Sequence, residues 1–196
     1  MSTAPGTSTI NSMADVWEAY RAELDGVEHQ VRQNLNSSVT LVNTVAAHIL
    51  SSGGKRVRPL LLLLSARLCG YAGREHHQLG SLIEFIHTAT LLHDDVVDEA
   101  DIRRGRSTAR KVWGNQISIL VGDYLYSKAM AQIVEFRSHG MNEILAEACT
   151  KMAEGEVLQL YYNGNPSMPE SDYIKIVEHK TAGLIAAACR MGAILA

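Results

Sequence analysis

Residues 76–105 read HHQLGSLIEFIHTATLLHDDVVDEADIRRG, and the spacing inside this stretch decides the fold class. Leu79, Leu82, Ile83, Ile86, Thr90, Leu91 and Val97 recur mostly at steps of three and four, the period of an α-helix running from about His76 to Glu99. The same period continues outward in both directions. Upstream, Val16, Tyr20, Leu24, Val27, Val31 and Leu35 form a helical stripe over 13–35. Ser37 or Ser38 can cap a second helix carrying Leu41, Val45, Ile49 and Leu50, which Ser51-Ser52-Gly53-Gly54 ends. Pro59 suits the first turn of a third helix that reaches about Cys69 and Gly70. Downstream, Asp101 to Ser107 reads as a charged loop, followed by helices over roughly 108–114, 116–136 and 140–162. Asn163-Gly164-Asn165-Pro166 is a strong turn, and a last helical pattern starts near Pro169 and Glu170. Useful strand alternation and internal repeats are both missing. The sequence predicts an all-α fold, with a mobile Ser/Thr/Gly/Pro-rich tail over residues 1–12 and a single domain over 13–196.

At 196 residues, 46% hydrophobic and 20% charged, the chain is long enough to bury about 70% of its unfolded surface without staples. Its longest apolar runs, such as Leu60 to Leu64, fall far short of the ~20 residues a bilayer span needs, so no transmembrane segment is expected. The opening MSTAPGTSTINSM has no basic start followed by an apolar stretch, so no secretory leader is expected. Cys69, Cys149 and Cys189 are odd in number and far apart. That argues against a disulfide framework or zinc knuckle, and for reduced thiols in the cytoplasm. A net charge of −3 offers no general attraction to nucleic acid or anionic lipid. Met191 to Ala196 is apolar, with no capping residue and no charged end. A chain seldom stops inside a greasy helix, so the pattern predicts the N-terminal part of something larger.

The average charge hides a local pattern. Ten of the eighteen basic residues lie between Lys55 and Lys111, and Asp94, Asp95, Asp98, Glu99 and Asp101 are crowded together at one helix end. At about 100° per residue, Asp98 lies about 40° from Asp94 and Asp95 about 100°, which is read as three carboxylates sharing one side. Like charges at a helix C-terminus repel one another and oppose the dipole, so they call for a cation. Carboxylates without a Cys or a close His pair are hard oxygen ligands, suited to Mg²⁺ held largely by water and phosphate. Basic loops on either side, Lys55-Arg56 with Arg58 and Arg103-Arg104 with Arg106, supply the charged forks for a metal-bridged diphosphate. His87, two turns before Asp94, faces the same side about 10 Å along the helix. Each part alone has a plainer reading: surface salt bridges, a solvated turn, a core histidine. Gly53-Gly54-Lys55 also lacks the GxxxxGK[ST] spacing of a nucleotide loop. The combined order is rarer than any part.

Gly-Gly-Lys-Arg-Val-Arg-Pro (53–59), Glu-Phe-Ile-His (84–87), Leu-Leu-His-Asp-Asp-Val-Val-Asp (91–98) and Asp-Ile-Arg-Arg-Gly (101–105) together resemble the trans-prenyltransferases that make polyprenyl diphosphates. Gly122-Asp123-Tyr-Leu, Gly155-Glu-Val-Leu-Gln-Leu160 and Lys180-Thr181-Ala182 follow in the family's order, so the likeness covers about residues 15–196. It implies an isoprenoid-synthase helical bundle with a deep central cavity, working as a homodimer. It assigns Asp94, Asp95 and Asp98 to Mg²⁺ that grips an allylic diphosphate, with Arg103 on that diphosphate and Lys180 and Thr181 on its other side. Gln159 goes near the allylic site, where short-chain enzymes often carry an acid. Lys55, Arg58, His87 and Arg104 would hold isopentenyl diphosphate, and Asp123 matches without a role. Ala89 and Thr90 stand where bulky aromatics accompany short products, so a long chain is implied. The family also carries a second aspartate-rich motif, and none follows Lys180, which implies that these 196 residues alone are inactive. The implied chemistry is attack by the π bond of isopentenyl diphosphate on an allylic cation. It needs no protein nucleophile, in keeping with the missing Ser/His/Asp or Cys/His set. Two other readings stand beside this one: a non-catalytic partner subunit of a heteromeric synthase, and an HD-type metal phosphohydrolase built on His93-Asp94. The second suffers because His87 and His93, six positions apart, are about 120° out of alignment.

Overall fold

α5, Glu75–Val97, is the axis of the molecule. Every position from Leu79 to Ile86 is buried, so this helix is covered on all sides and not along a single stripe. The computed structural model describes residues 10–196, and the helices around α5 are α1 (Met13–Ala19), α2 (Arg21–Asn34), α3 (Thr40–Leu50), α4 (Val57–Leu68), α6 (Ala109–Trp113), α7 (Asn115–Glu135), α8 (His139–Tyr161), α9 (Glu170–Val177) and α10 (Gly183–Ile194). α7, α2 and α4 make the main contacts with α5, and α10 bridges α4 and α8. Leu82, Ile83, Phe85 and Ile86 of α5 meet Leu62, Leu125, Leu145 and Leu184 in a continuous core, all 0–1% exposed. Each such side chain contributes roughly 1.5–3 kcal/mol by leaving water. The all-α expectation holds. Among the described residues no helix is long and apolar enough to cross a membrane, and the three cysteines are free.

Four details differ from the sequence reading. The stripe over 13–35 breaks at Tyr20, whose φ of −103° and ψ of 10° leave the helical region. The break separates two jobs: Trp17 of α1 donates its indole N–H to the Lys55 carbonyl at 2.8 Å, while Leu24, Val27 and Val31 of α2 pack on the core. No Gly or Pro marks the spot, so periodicity ran through it. α4 starts two residues before Pro59, with Arg56 as a left-handed N-cap at φ 49°, and the proline falls in the first turn, where an N–H is not needed. The charged loop contains a hairpin, β1 (Ile102–Arg103) against β2 (Arg106–Ser107). Arg104 and Gly105 form its turn at φ 50° and 76°, the two positive values a tight hairpin of this hand requires. Strands of two residues leave no alternation to detect. Finally, a π-helical turn, Glu178–Ala182, interrupts the last helical pattern between α9 and α10.

Of the expected mobile tail, residues 1–9 lie outside the described residues. Ser12 closes α1 with a reciprocal cap: its hydroxyl accepts from the Asp15 N–H and the Asp15 carboxylate accepts from the Ser12 N–H at 2.8 Å.

Candidate active site

Two cavities meet along the C-terminal half of α5. One, of about 480 Å³, is lined by the 54–58 loop with Glu84, His87 and Arg104. The other, of about 510 Å³, lies between α5, α7 and α8. Its apolar part is formed by Ala89, Leu91, Tyr126, Cys149, Met152 and Ala153, and its polar part by Asp94, Asp123, Glu156, Lys180 and Thr181. Arg58 and His87 line both cavities and form the wall between them.

The first cavity is built to be basic. Arg56 is fully engaged, donating to the Glu28 and Glu84 carboxylates and to the Leu50 carbonyl, so it braces the loop. Glu84 is buried beneath it, and burial pushes its carboxyl up although Arg56 and Arg58 oppose this. Lys55 and Arg104 are exposed and make no side-chain ion pair among the described residues, which leaves their charge available. The hairpin turn carries Arg104 to this cavity. Arg58 Nη1 lies 3.3 Å from His87 Nε2. A guanidinium can only donate, so the imidazole accepts and is neutral. Burial, reinforced by Arg58 and Arg104, holds the His87 pKa down to about 3.

The second cavity ends in acids. Asp94 is pushed up to about 6 by burial, with Glu156 and Asp98 adding to the effect and Lys180 opposing it. Lys180 Nζ pairs with Glu156 Oε2 at 2.5 Å, and Glu156 Oε1 is buried without a partner. Lys180 and Thr181 both sit in the π-helical turn, a local widening that aims them inward. α8 touches this turn backbone to backbone: a Cβ on Gly155 would lie 2.9 Å from the Lys180 amide nitrogen.

Four expected site residues, Asp95, Asp98, Arg103 and Gln159, line neither main cavity. Asp95 does not share the face of Asp94 and Asp98: it is 1% exposed and accepts from Arg103 Nε at 2.7 Å, beside His48 and Thr108 on the other flank of α5. The 100° step from Asp94 is enough to turn it away. Arg103 goes with it and lines neither of the two main cavities, because successive residues at the hairpin send Arg103 and Arg104 apart. Gln159, one turn beyond Glu156, lines neither cavity. The plain reading wins for Asp101, Arg110 and Lys111, which pair with one another on the surface at 3.0 and 2.8 Å.

The polyprenyl synthetase family pattern matches residues 39–196. The chain belongs to the polyprenyl synthetase family. Octaprenyl diphosphate synthase of Escherichia coli (strain K12) is 46% identical over 174 residues, which cover 89% of this chain and 54% of that protein. All-trans-nonaprenyl-diphosphate synthase (geranyl-diphosphate specific) of Rhodobacter capsulatus is 38% identical over 188 residues, 95% of this chain and 58% of that one. A crystal structure of polyprenyl synthase from Caulobacter crescentus CB15, complexed with calcium and isoprenyl diphosphate, matches with a TM-score of 0.91 at 41% identity, covering 94% of this chain and 56% of that chain. The chain thus spans little more than half the length of these polyprenyl synthetase relatives.

Within this polyprenyl synthetase bundle, sequence reasoning missed Glu84, Glu156, Tyr126, Cys149 and Met152. Glu156 had a signal, since it stands in the Gly155-Glu156 motif, whereas Tyr126, Cys149 and Met152 looked like ordinary packing residues. His87 and His93 do not converge on one ion: the first faces Arg58, and the second faces Asp123 at 3.2 Å. That geometry, with the family, removes the phosphohydrolase reading.

Proposed function

We propose that the protein is a Mg²⁺-dependent trans-prenyltransferase that condenses isopentenyl diphosphate with an allylic diphosphate to give a long-chain polyprenyl diphosphate. One observation carries this reading: the Arg58–His87 wall has a basic pocket on one side and an acid-ended apolar cavity on the other. Lys55, Arg58 and Arg104 would hold the isopentenyl diphosphate, with charge-assisted contacts worth about 1.5–3 kcal/mol each. His87 orients Arg58.

The acids of the second cavity fit Mg²⁺. They are hard oxygen donors, and Glu156 Oε1 lacks a partner. Asp94 and Asp98 would hold the ion, whose charge stabilises the departing diphosphate. Asp95 keeps its partner Arg103 and fixes the end of α5. Lys180, exchanging Glu156 for a phosphate oxygen, and Thr181 would hold the other side of the allylic diphosphate. Gln159 has no contact in this reading. As the allylic C–O bond breaks, the π bond of isopentenyl diphosphate supplies the electron pair for the new C–C bond, and the released diphosphate takes the proton. Leu91, Met152 and Tyr126 keep water from the cation and give the growing chain an apolar surface. A homodimer in the cytoplasm completes the reading.

The test is the full-length protein with Mg²⁺, labelled isopentenyl diphosphate and allylic primers of several lengths. Labelled products of more than four isoprene units are expected. No transfer with any primer would overturn the proposal, and transfer only after a different chain is added would favour the partner-subunit reading.

A further inference from the structure

Seventeen positions before Asp94, about 25 Å back along α5, lies a cluster that the prenyl chemistry does not use. Glu23 of α2 and His76 and His77 of α5 bring one oxygen and two ring nitrogens within 4.8 Å of one another, the one group of this kind among the described residues. His76 Nε2 and His77 Nε2 lie 2.8 and 2.6 Å from the same atom, Glu23 Oε2. Arg67 serves the other oxygen, Oε1, at 2.5 Å. The carboxylate is already neutralised by that guanidinium, so two imidazoles converging on Oε2 are more than its charge requires.

The cluster is held in place by packing. His76 is 1% exposed, with the Tyr71 ring edge-on against it. The His77 ring lies flat on α2 where Gly26 leaves room; a Cβ there would sit 2.7 Å from the ring. His76 Nδ1 is buried without a partner whichever ring nitrogen carries the proton, so freeing Nε2 creates no additional unpaired atom.

We propose that Glu23, His76 and His77 form a transition-metal site of the Zn²⁺ class that staples α2 to the first turn of α5. Two imidazole nitrogens with one carboxylate oxygen suit Zn²⁺ and not Mg²⁺. Metal bonds of about 2.0–2.1 Å at tetrahedral angles need ligand atoms about 3.3 Å apart, so the present separations open by roughly 0.5–0.7 Å on binding. His77 and Glu23 are partly exposed and can supply that movement, and water takes the fourth position. Each neutral imidazole binds as its Nδ1–H tautomer: the proton leaving Nε2 is matched by one taken up at Nδ1, with no net release. Arg67 stays on Oε1 and orients the carboxylate.

Zn²⁺ alone is titrated calorimetrically into the full-length protein in excess Mg²⁺, which occupies the aspartates. One saturable Zn²⁺ per chain is expected, with Tm rising by about 5–10 °C at a hundredfold excess over Kd. Co²⁺ in its place gives the visible absorption of a four-coordinate nitrogen and oxygen site. His77→Gln and Glu23→Gln each abolish binding and the Co²⁺ band, while prenyl transfer in Mg²⁺ persists. The proposal is overturned if the unaltered protein shows no saturable Zn²⁺ and no Co²⁺ band, leaving a hydrogen-bonded ion cluster only. Binding that survives both substitutions overturns it equally, since the metal then sits elsewhere.

Discussion

Asp94 binds its proton more tightly in the folded chain than in the unfolded one, at about 6 against 3.8. The metal-free protein therefore loses stability as pH rises from about 4 through 6, by about 1–2 kcal/mol after solvent screening. Asp94→Asn removes that cost. Its metal-free Tm at pH 7.5 should rise by a few degrees while prenyl transfer disappears, and a fall of several degrees would show a structural aspartate instead. Mg²⁺ has to displace the same proton, so stabilisation by the ion should fade below about pH 6 in melts with and without it. His87 acts on stability with the opposite sign. Held at about 3 against 6.5, it stays neutral where the unfolded chain takes up a proton, so stability falls as pH drops below 6.5 toward 3. His87→Gln should flatten that acid limb, as followed by denaturant melts between pH 4 and 7.

Helix arithmetic put Asp94, Ala89 and Thr90 on one cavity, because all three depend on one unbroken period along α5. It also contained the sign of its own error, since a 100° step is too large for Asp95 to share the face. The break at Tyr20, the hairpin and the π turn were illegible because each is shorter than the window that reveals a period. At this scale the structure also separates two substitutions that looked alike. Ala89 is 1% exposed and belongs to the core as well as the cavity, so Ala89→Phe should cost about 1–3 kcal/mol through overpacking. Thr90 is half-buried, and Thr90→Phe should instead shorten the product with little loss in Tm. Tyr126 and Cys149 also line the apolar groove beyond α8 with Val157 and Tyr161. Tyr126→Ala opens that partition and should lengthen the product. Chromatography of the products decides both, and an unchanged distribution in either variant removes that residue from the chain's path.

Across the whole molecule, the two-cavity plan requires that the substrates be separable. Arg104 and Lys55 reach one cavity from a hairpin turn and an early loop, while Lys180 reaches the other from the far end of the chain. Arg104→Ala and Lys55→Ala should each raise KM for isopentenyl diphosphate about ten- to a hundredfold and leave the allylic KM nearly alone. Lys180→Ala should do the reverse. Equal changes in both constants would mean a single shared site. None of this was visible as an arrangement in the sequence, where Lys55 and Lys180 are 125 positions apart, although each residue carried its motif.

The π-helical turn at Glu178–Ala182 behaves like a one-residue insertion that the helix has absorbed. Removing a single residue from it would restore ordinary α-helical winding, leaving α9 and α10 in their present phase and re-aiming only the residues inside the turn. α10 is anchored through the buried Leu184, Ala187, Ala188 and Met191, so the change would fall on Lys180. The shortest in-frame deletion available in this region would thus leave a folded chain with its lysine aimed away from the cavity. Lengthening the nearby 163–168 turn by the same single residue would be absorbed without consequence.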